Sequence, residues 1–258
     1  MNGPTDDVEL AAHLVREAGV LAQRMRADGL DPQRKTSISD VVTAADHAAE
    51  RLIVDTLARQ RPEDGVLGEE GADREGTSGR RWVIDPVDGT YNFVAGLDWW
   101  CSALALVDGD DLVLGAVHHA ATGRTWVGGP AAGPSVDGVP LPRLPDRSAA
   151  ESCLVTYLHP PFYDTEVGAA FGRMVSGVAT VRMLGSGTMD AMAIAEGRLH
   201  VLCQHSVPPW DRLPGEAIIL AAGGTTRTVR AAGVEWYVAG APTAVAEVAA
   251  ALSGQRTP

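Results

Sequence analysis

Lysine is nearly missing from this chain. Lys35 is the only one in 258 residues, so arginine carries almost all the positive charge. Even so, 21 basic residues face 33 acidic ones, and the formal net charge is −12. Such an acidic balance argues against nucleic acid or an anionic membrane as partner. Cysteine is scarce as well. Cys101, Cys153 and Cys203 stand among apolar or small residues with no CxxC spacing, which predicts buried thiols in a reducing compartment. No run approaches the ~18 apolar residues needed to span a bilayer. The opening residues 1–7 are polar and acidic, unlike the basic start and apolar core of a secretory signal. The expected location is therefore the cytoplasm. A GxxxxGK nucleotide loop and an HExxH zinc helix are also missing. His118, His119, His200 and His205 read as core or surface residues, with His205 a candidate for a pocket rim.

What is present suits a globular protein. The length and the 45% hydrophobic content allow one large domain or two tightly packed halves. Apolar residues at helical spacing, from Val8 through Val15 to Ala22, predict a helix over 6–28 with Gly29 as its cap. A second helix is predicted over 44–59, with Thr43 as N-cap. Residues 66–68 read as a short strand leading to Glu69 and Glu70, and 71–80 as a polar loop. Strands over 102–107 and 112–118 flank the hairpin signal Asp108-Gly109-Asp110-Asp111, and 125–127 adds another. The Gly- and Pro-rich stretch 128–145 reads as turns joining two halves. Beyond it, strands over 153–158, 180–184, 199–203 and 234–238 alternate with helices over 167–176, 188–196, 211–222 and 243–252. The pattern is α+β, with halves at 1–145 and 146–258.

The chemistry concentrates in residues 82–93. The apolar run Trp82-Val83-Ile84 feeds two carboxylates three apart, Asp85 and Asp88, and Gly89-Thr90 follow at once. Apolar run, acid, then Gly-Thr is how a strand ends and a helix begins. Hard cations want carboxylate oxygens close together, and a phosphate wants exposed N–H groups at a helix start. The segment therefore reads as a metal-dependent phosphate site. Bound cations also explain how so acidic a chain holds an anionic ester. Glu69 and Glu70 end a strand and cannot both face one way. Thr43 and Asp46 have capping-box spacing. Asp211 precedes an apolar helix and reads as an N-cap, with Pro214 in the first turn. Lys35 is either retained for a purpose or there by chance.

Asp85-Pro86-Val87-Asp88-Gly89-Thr90-Tyr91-Asn92-Phe93 resembles the signature of the inositol monophosphatase family of Mg²⁺-dependent, lithium-sensitive phosphatases. Three further segments match in family order: Gly68-Glu69-Glu70, Asp40-Val41-Val42-Thr43-Ala44-Ala45-Asp46, and Trp210-Asp211 with Gly215 and the later Ala222-Gly223-Gly224. Leu213 stands where many members have alanine. The resemblance implies a layered αβαβα sandwich, two or three Mg²⁺ per subunit and a homodimer. It implies Glu69, Asp85, the Val87 carbonyl, Asp88 and Asp211 as metal ligands, with Lys35 near the metals. Asp46 and Thr90 would orient the attacking water, and Gly89 and Thr90 would cradle the phosphate. Substrate contacts would come from Asp88, Gly185, Ser186, Gly187 and Gln204. Gln204 replaces the glutamate that binds ring hydroxyls in inositol-phosphate enzymes, so the charge there is lost. The short 71–80 loop favours a small polyol or sugar phosphate. Histidinol phosphate, fructose 1,6-bisphosphate, 3′-phosphoadenosine 5′-phosphate and a silent metal-binding protein are the alternatives.

Overall fold

The computed structural model describes residues 7–29, 33–34, 41–130 and 132–254, with 33–34 and 41–42 as backbone alone. Helices α1 (Asp7–Asp28) and α2 (Ala44–Gln60) open the chain, with the short paired strands β1 (Gln33–Arg34) and β2 (Val41–Val42) between them. Then come β3 (Gly65–Gly68), β4 (Asp73–Arg74), β5 (Arg80–Asp88) and the short helix α3 (Thr90–Val94). A meander follows: β6 (Cys101–Asp108), β7 (Asp111–His119), β8 (Arg124–Gly129), β9 (Ala132–Val136) and β10 (Val139–Pro140). The second half runs β11 (Cys153–Thr156), α4 (Glu166–Val175), β12 (Thr180–Arg182), α5 (Gly187–Ala195), β13 (Val201–His205) and α6 (Pro209–Ala221). It closes with β14 (Thr225–Ala231), β15 (Val234–Gly240) and α7 (Pro242–Leu252).

The strands form an eight-stranded sheet in the order β10-β9-β8-β7-β6-β5-β3-β4 and a five-stranded sheet in the order β12-β11-β13-β15-β14. Each helix has an apolar stripe that a sheet face must cover. Leu10, Leu14, Val15 and Ala18 of α1, with Ile53 and Leu57 of α2, pack on Trp82, Ile84, Leu104 and Leu106 of the large sheet. On its other face, Met189 and Met192 of α5 and Ile218 and Ile219 of α6 meet Ala103, Val117 and Trp126. The same helices meet Leu202, Tyr237 and Ala239 of the small sheet. Val167 and Met174 of α4, with Val245 and Val248 of α7, cover that sheet's outer face. The layers are thus αβαβα. No helix among the described residues is long and apolar enough to cross a membrane.

Four local expectations need correction. The 71–80 loop carries the two-residue strand β4, paired with β3. The 128–145 stretch contains β9 and β10. These are short strands, β10 at the sheet edge and β9 next to it, in which Gly133, Pro134 and Pro140 hide the alternation. Strand β14 is absent from the expected strands, because its Thr and Arg residues show no apolar alternation. Helix α6 starts at Pro209, not Asp211, with Pro208 as N-cap. Asp211 therefore lies inside the first turn, and Pro214 falls in the next one, beyond the positions where its missing N–H costs nothing.

Candidate active site

The site begins with a bulge. In a regular strand, residues three apart point to opposite faces. Along β5 and β6, Asp85 pairs with Ala103 and Asp88 with Cys101, so three steps on one strand oppose two on the other. The extra residue reverses the parity and turns both carboxylates to the face covered by α5 and α6. Asp85 accepts the Val87 N–H at 3.1 Å, and the Ser102 hydroxyl pins the Pro86 carbonyl at 2.6 Å.

Asp88 reaches across to the second half. One of its oxygens accepts from the Ser186 hydroxyl at 2.7 Å and from the Thr188 N–H at 2.6 Å. Ser186 is also the N-cap of α5, so Asp88 sits at the positive end of that helix. Gly89 takes a left-handed backbone, φ 90°, to turn from β5 into α3. A side chain there would also crowd Ser186 at 3.0 Å and the Gly185 and Trp99 carbonyls at 3.1 Å. Gln204 lies against Gly187, where an added Cβ would meet its carboxamide oxygen at 3.2 Å. The structure therefore gathers Gly185, Ser186, Gly187 and Gln204 beside Asp88 and Gly89.

Asp46 divides its two oxygens between two tasks. Oδ2 accepts from the Thr43 N–H at 2.9 Å and the Thr43 hydroxyl at 2.5 Å, while the Ala45 N–H donates to the Thr43 hydroxyl at 3.1 Å. That is the expected capping box. Oδ1 faces the Thr90 hydroxyl at 3.3 Å, and the same hydroxyl lies 3.0 Å from the Val87 carbonyl. Lys35 and Asp40 lie outside the described residues.

Sequence reasoning missed Glu50. It is 5% exposed on α2, one turn beyond Asp46. Its carboxylate accepts from the Glu70 N–H at 2.8 Å and the Ala72 N–H at 3.0 Å, fastening the turn that carries Glu69. A side chain at Gly68 would push Glu50 out of this position, since its Cβ would lie 2.2 Å from Glu50 Oε2. The i, i+4 pair of acids on one helix face was the available signal. The Glu70 side chain is buried, 4.0 Å from His47, and its charge adds to that around Asp46 and Glu50. Glu50→Ala is expected to weaken Mg²⁺ binding by about tenfold, the lower range for losing a group that orients a metal ligand. Calorimetric Mg²⁺ titration would measure it, and unchanged affinity would discard the role.

The electrostatics are those of crowded acids. Burial raises the proton affinity of Asp85 well above its ordinary 3.8, and Glu69, Asp88, Asp211 and Asp46 raise it further. Burial also raises Asp88, although the hydrogen bonds from Ser186 and Thr188 oppose this. Asp46 is raised by burial against the pull of Thr43. A buried carboxylate facing other carboxylates holds a proton or a cation. All-oxygen donors of this kind fit a hard divalent ion. Among the described residues, no three His, Cys, Asp or Glu side chains already close into a coordination shell. The acids converge as charges, and Asp88 is turned onto the start of α5. Close by, Asp190 is buried and pushed up to about 8, chiefly by burial, and accepts the Trp99 indole N–H at 3.0 Å. Trp99 is thus a partner of α5, while Trp100 is core, edge-on to Phe93 at 4.7 Å. The histidines stand apart. His118 is buried, lowered to about 4 by burial, and lies 2.9 Å from the Thr125 hydroxyl. His205 packs between Phe162 and Trp236.

A sheet end carrying facing acids, a Thr–Asp pair and a helix N-terminus inside an αβαβα sandwich defines a metal-assisted phosphomonoesterase class. The sequence model of the inositol monophosphatase family matches residues 5–255, and the chain belongs to that family. It is a phosphatase of that metal-dependent family, which generally uses Mg²⁺. A fructose-1,6-bisphosphatase/inositol-1-monophosphatase of Thermotoga maritima is 31% identical over 85% of this chain and 83% of its own length. A histidinol-phosphatase of Mycobacterium tuberculosis is 34% identical over 85% of this chain and 86% of its own. Among solved structures, an IMPase of Thermotoga maritima has a TM-score of 0.84 at 28% identity, covering 97% of this chain and 98% of that one.

Proposed function

We propose that this protein hydrolyses a small polyol or sugar phosphate with Mg²⁺, two or three ions per subunit. The observation that carries the proposal is the buried Asp85 carboxylate faced by Glu69, Asp88, Asp211 and Asp46. Glu69, Asp85, Asp88, Asp211 and the Val87 carbonyl are the groups that would hold the ions, with Lys35 near them. Bound Mg²⁺ supplies the positive charge that offsets the phosphate and the departing oxygen. The Thr90 hydroxyl has one proton and two acceptors, Asp46 and Val87, so its lone pairs remain to orient an attacking water. The N–H groups of Gly89 and Thr90 cradle the phosphate. Gly185, Ser186, Gly187 and Gln204 border the leaving group. No protein nucleophile is needed.

Exposed Tyr91, Leu97 and Met183 support a homodimer. The Asn92 amide donates to the Trp99 and Leu184 carbonyls, which brings the segments that carry these side chains together. Three free cysteines support the cytoplasm as location. The test is phosphate release with and without Mg²⁺ and Li⁺. The panel holds inositol 1-phosphate, histidinol phosphate, fructose 1,6-bisphosphate, 3′-phosphoadenosine 5′-phosphate and sugar monophosphates. Mg²⁺-dependent, Li⁺-inhibited turnover of a polyol or sugar phosphate is expected. Mg²⁺ binding with no turnover of any ester would favour a silent metal-binding protein.

A further inference from the structure

One cationic side chain is joined to the residues assigned to the leaving group through a single tyrosine. Gln204 on β13 lies against Gly187, and Gly187 follows the Ser186 that holds Asp88. Tyr237 on β15 pairs in register with Gln204, so their side chains share one face of the sheet. Arg212, the residue after Asp211, lays its guanidinium over the Tyr237 ring, 5.5 Å from the centroid. Neighbours therefore run from Asp88 through Ser186, Gly187, Gln204 and Tyr237 to Arg212.

The guanidinium is held from behind. Glu216, one turn along α6, accepts Arg212 Nη1 at 2.8 Å with one oxygen and the Thr226 hydroxyl at 3.1 Å with the other. The Glu216 side chain is 12% exposed and that of Arg212 33% exposed. Glu216 is the only acceptor of an Arg212 hydrogen bond among the described residues. A guanidinium has five N–H donors, so most of this one's remain available. A planar cation fixed by a carboxylate and an aromatic face is prepared for a bidentate anion. A helix-surface ion pair needs neither the tyrosine beneath it nor the threonine behind it.

We propose that Arg212 is a specificity residue that recognises an anionic group, such as a second phosphate, on the leaving-group side of the ester. Beside a neutral Gln204 it also disfavours an amine there. This rests on the phosphatase reading above and narrows its substrate class to sugar or polyol phosphates with a second negative charge.

The test compares fructose 1,6-bisphosphate, histidinol phosphate and p-nitrophenyl phosphate as substrates of the wild-type protein, Arg212→Gln and Arg212→Lys, all with saturating Mg²⁺. The quantity read is kcat/KM for the bisphosphate divided by that for p-nitrophenyl phosphate. It is expected to fall by about tenfold in Arg212→Gln, chiefly through KM, and less in Arg212→Lys. Wild-type kcat/KM should be lowest for histidinol phosphate relative to its Arg212→Gln value. An unchanged ratio in Arg212→Gln would overturn the proposal, as would a wild type that turns over p-nitrophenyl phosphate but not the bisphosphate. A wild type inactive on all three but active on another ester of the wider panel would overturn the proposal and leave the phosphatase reading standing, whereas one inactive on every ester would remove both. Thermal melts of both variants separate a folding loss from a loss of specificity, because a folding loss lowers both rates together.

Discussion

Asp85→Asn is expected to abolish phosphate release and yet stabilise the ion-free protein. Activity should fall at least on the order of 100-fold, the scale for disturbing groups that hold or orient a metal. Stability should move the other way. Asp85 is buried and surrounded by Glu69, Asp88, Asp211 and Asp46, so its ionised form is repelled from every side. An asparagine keeps the shape and an acceptor for the Val87 N–H and removes the charge. A gain of ~1 kcal/mol would raise Tm by about 2–4 °C for a chain of this size. The sign with pH follows from linkage. The proton affinities of Asp85 and Asp88 are raised in the folded state, above all by burial. Their contribution is full below the ordinary 3.8 and is lost as pH rises through the folded values. The ion-free wild type should therefore lose stability on moving from acid to neutral pH, and the variant less steeply. Melts in chelator at several pH values, with and without added Mg²⁺, would check it. A variant less stable than wild type in chelator would show that the acids are not in repulsive contact.

Asp46→Ala is expected to damage folding and turnover through separate oxygens. Loss of the Oδ2 bonds to Thr43 removes a cap from α2, at a cost of about 1 kcal/mol. Loss of Oδ1 leaves Thr90 with the Val87 carbonyl as its partner, and kcat should fall on the order of 100-fold. Thr90→Ser keeps a hydroxyl and should lose far less than Thr90→Val. Combining Asp46→Ala with Thr90→Val should add little to either alone, since the two side chains act as a unit. Steady-state kinetics and melts of the set decide it. A variant that melts earlier but keeps its kcat would leave Asp46 as a helix cap and nothing more.

Much of the fold is legible in the sequence. The first two helices follow from apolar spacing, and the hairpin of β6 and β7 from Asp108-Gly109. The signature stretch marked the end of β5 because a change from apolar residues to acids and Gly-Thr has few other structural meanings. The order of sheets did not follow from local pattern. It depends on Met189 and Ile218 packing against strands far away in the chain. The bulge was equally hidden, since a pairing register is a property of two strands and the sequence of β5 shows one. Strand β14 lies at the sheet edge and needs no apolar alternation on its exposed side. Glu50 was overlooked because its partners are the backbone N–H groups of Glu70 and Ala72, which carry no side-chain signal.

The bond between Asp88 and the start of α5 joins residues 100 positions apart. As the chain emerges during synthesis, Glu69, Asp85 and Asp88 appear together, but the Ser186 and Thr188 groups that aim Asp88 do not yet exist. Asp211 comes later still. Contacts closed over such long loops form late in folding. On the proposed ligand set, a divalent ion would therefore not seed the first half of the chain. It would act as a latch, closed only once residues from both ends of the site have met, and its binding would then add to the stability of the folded state.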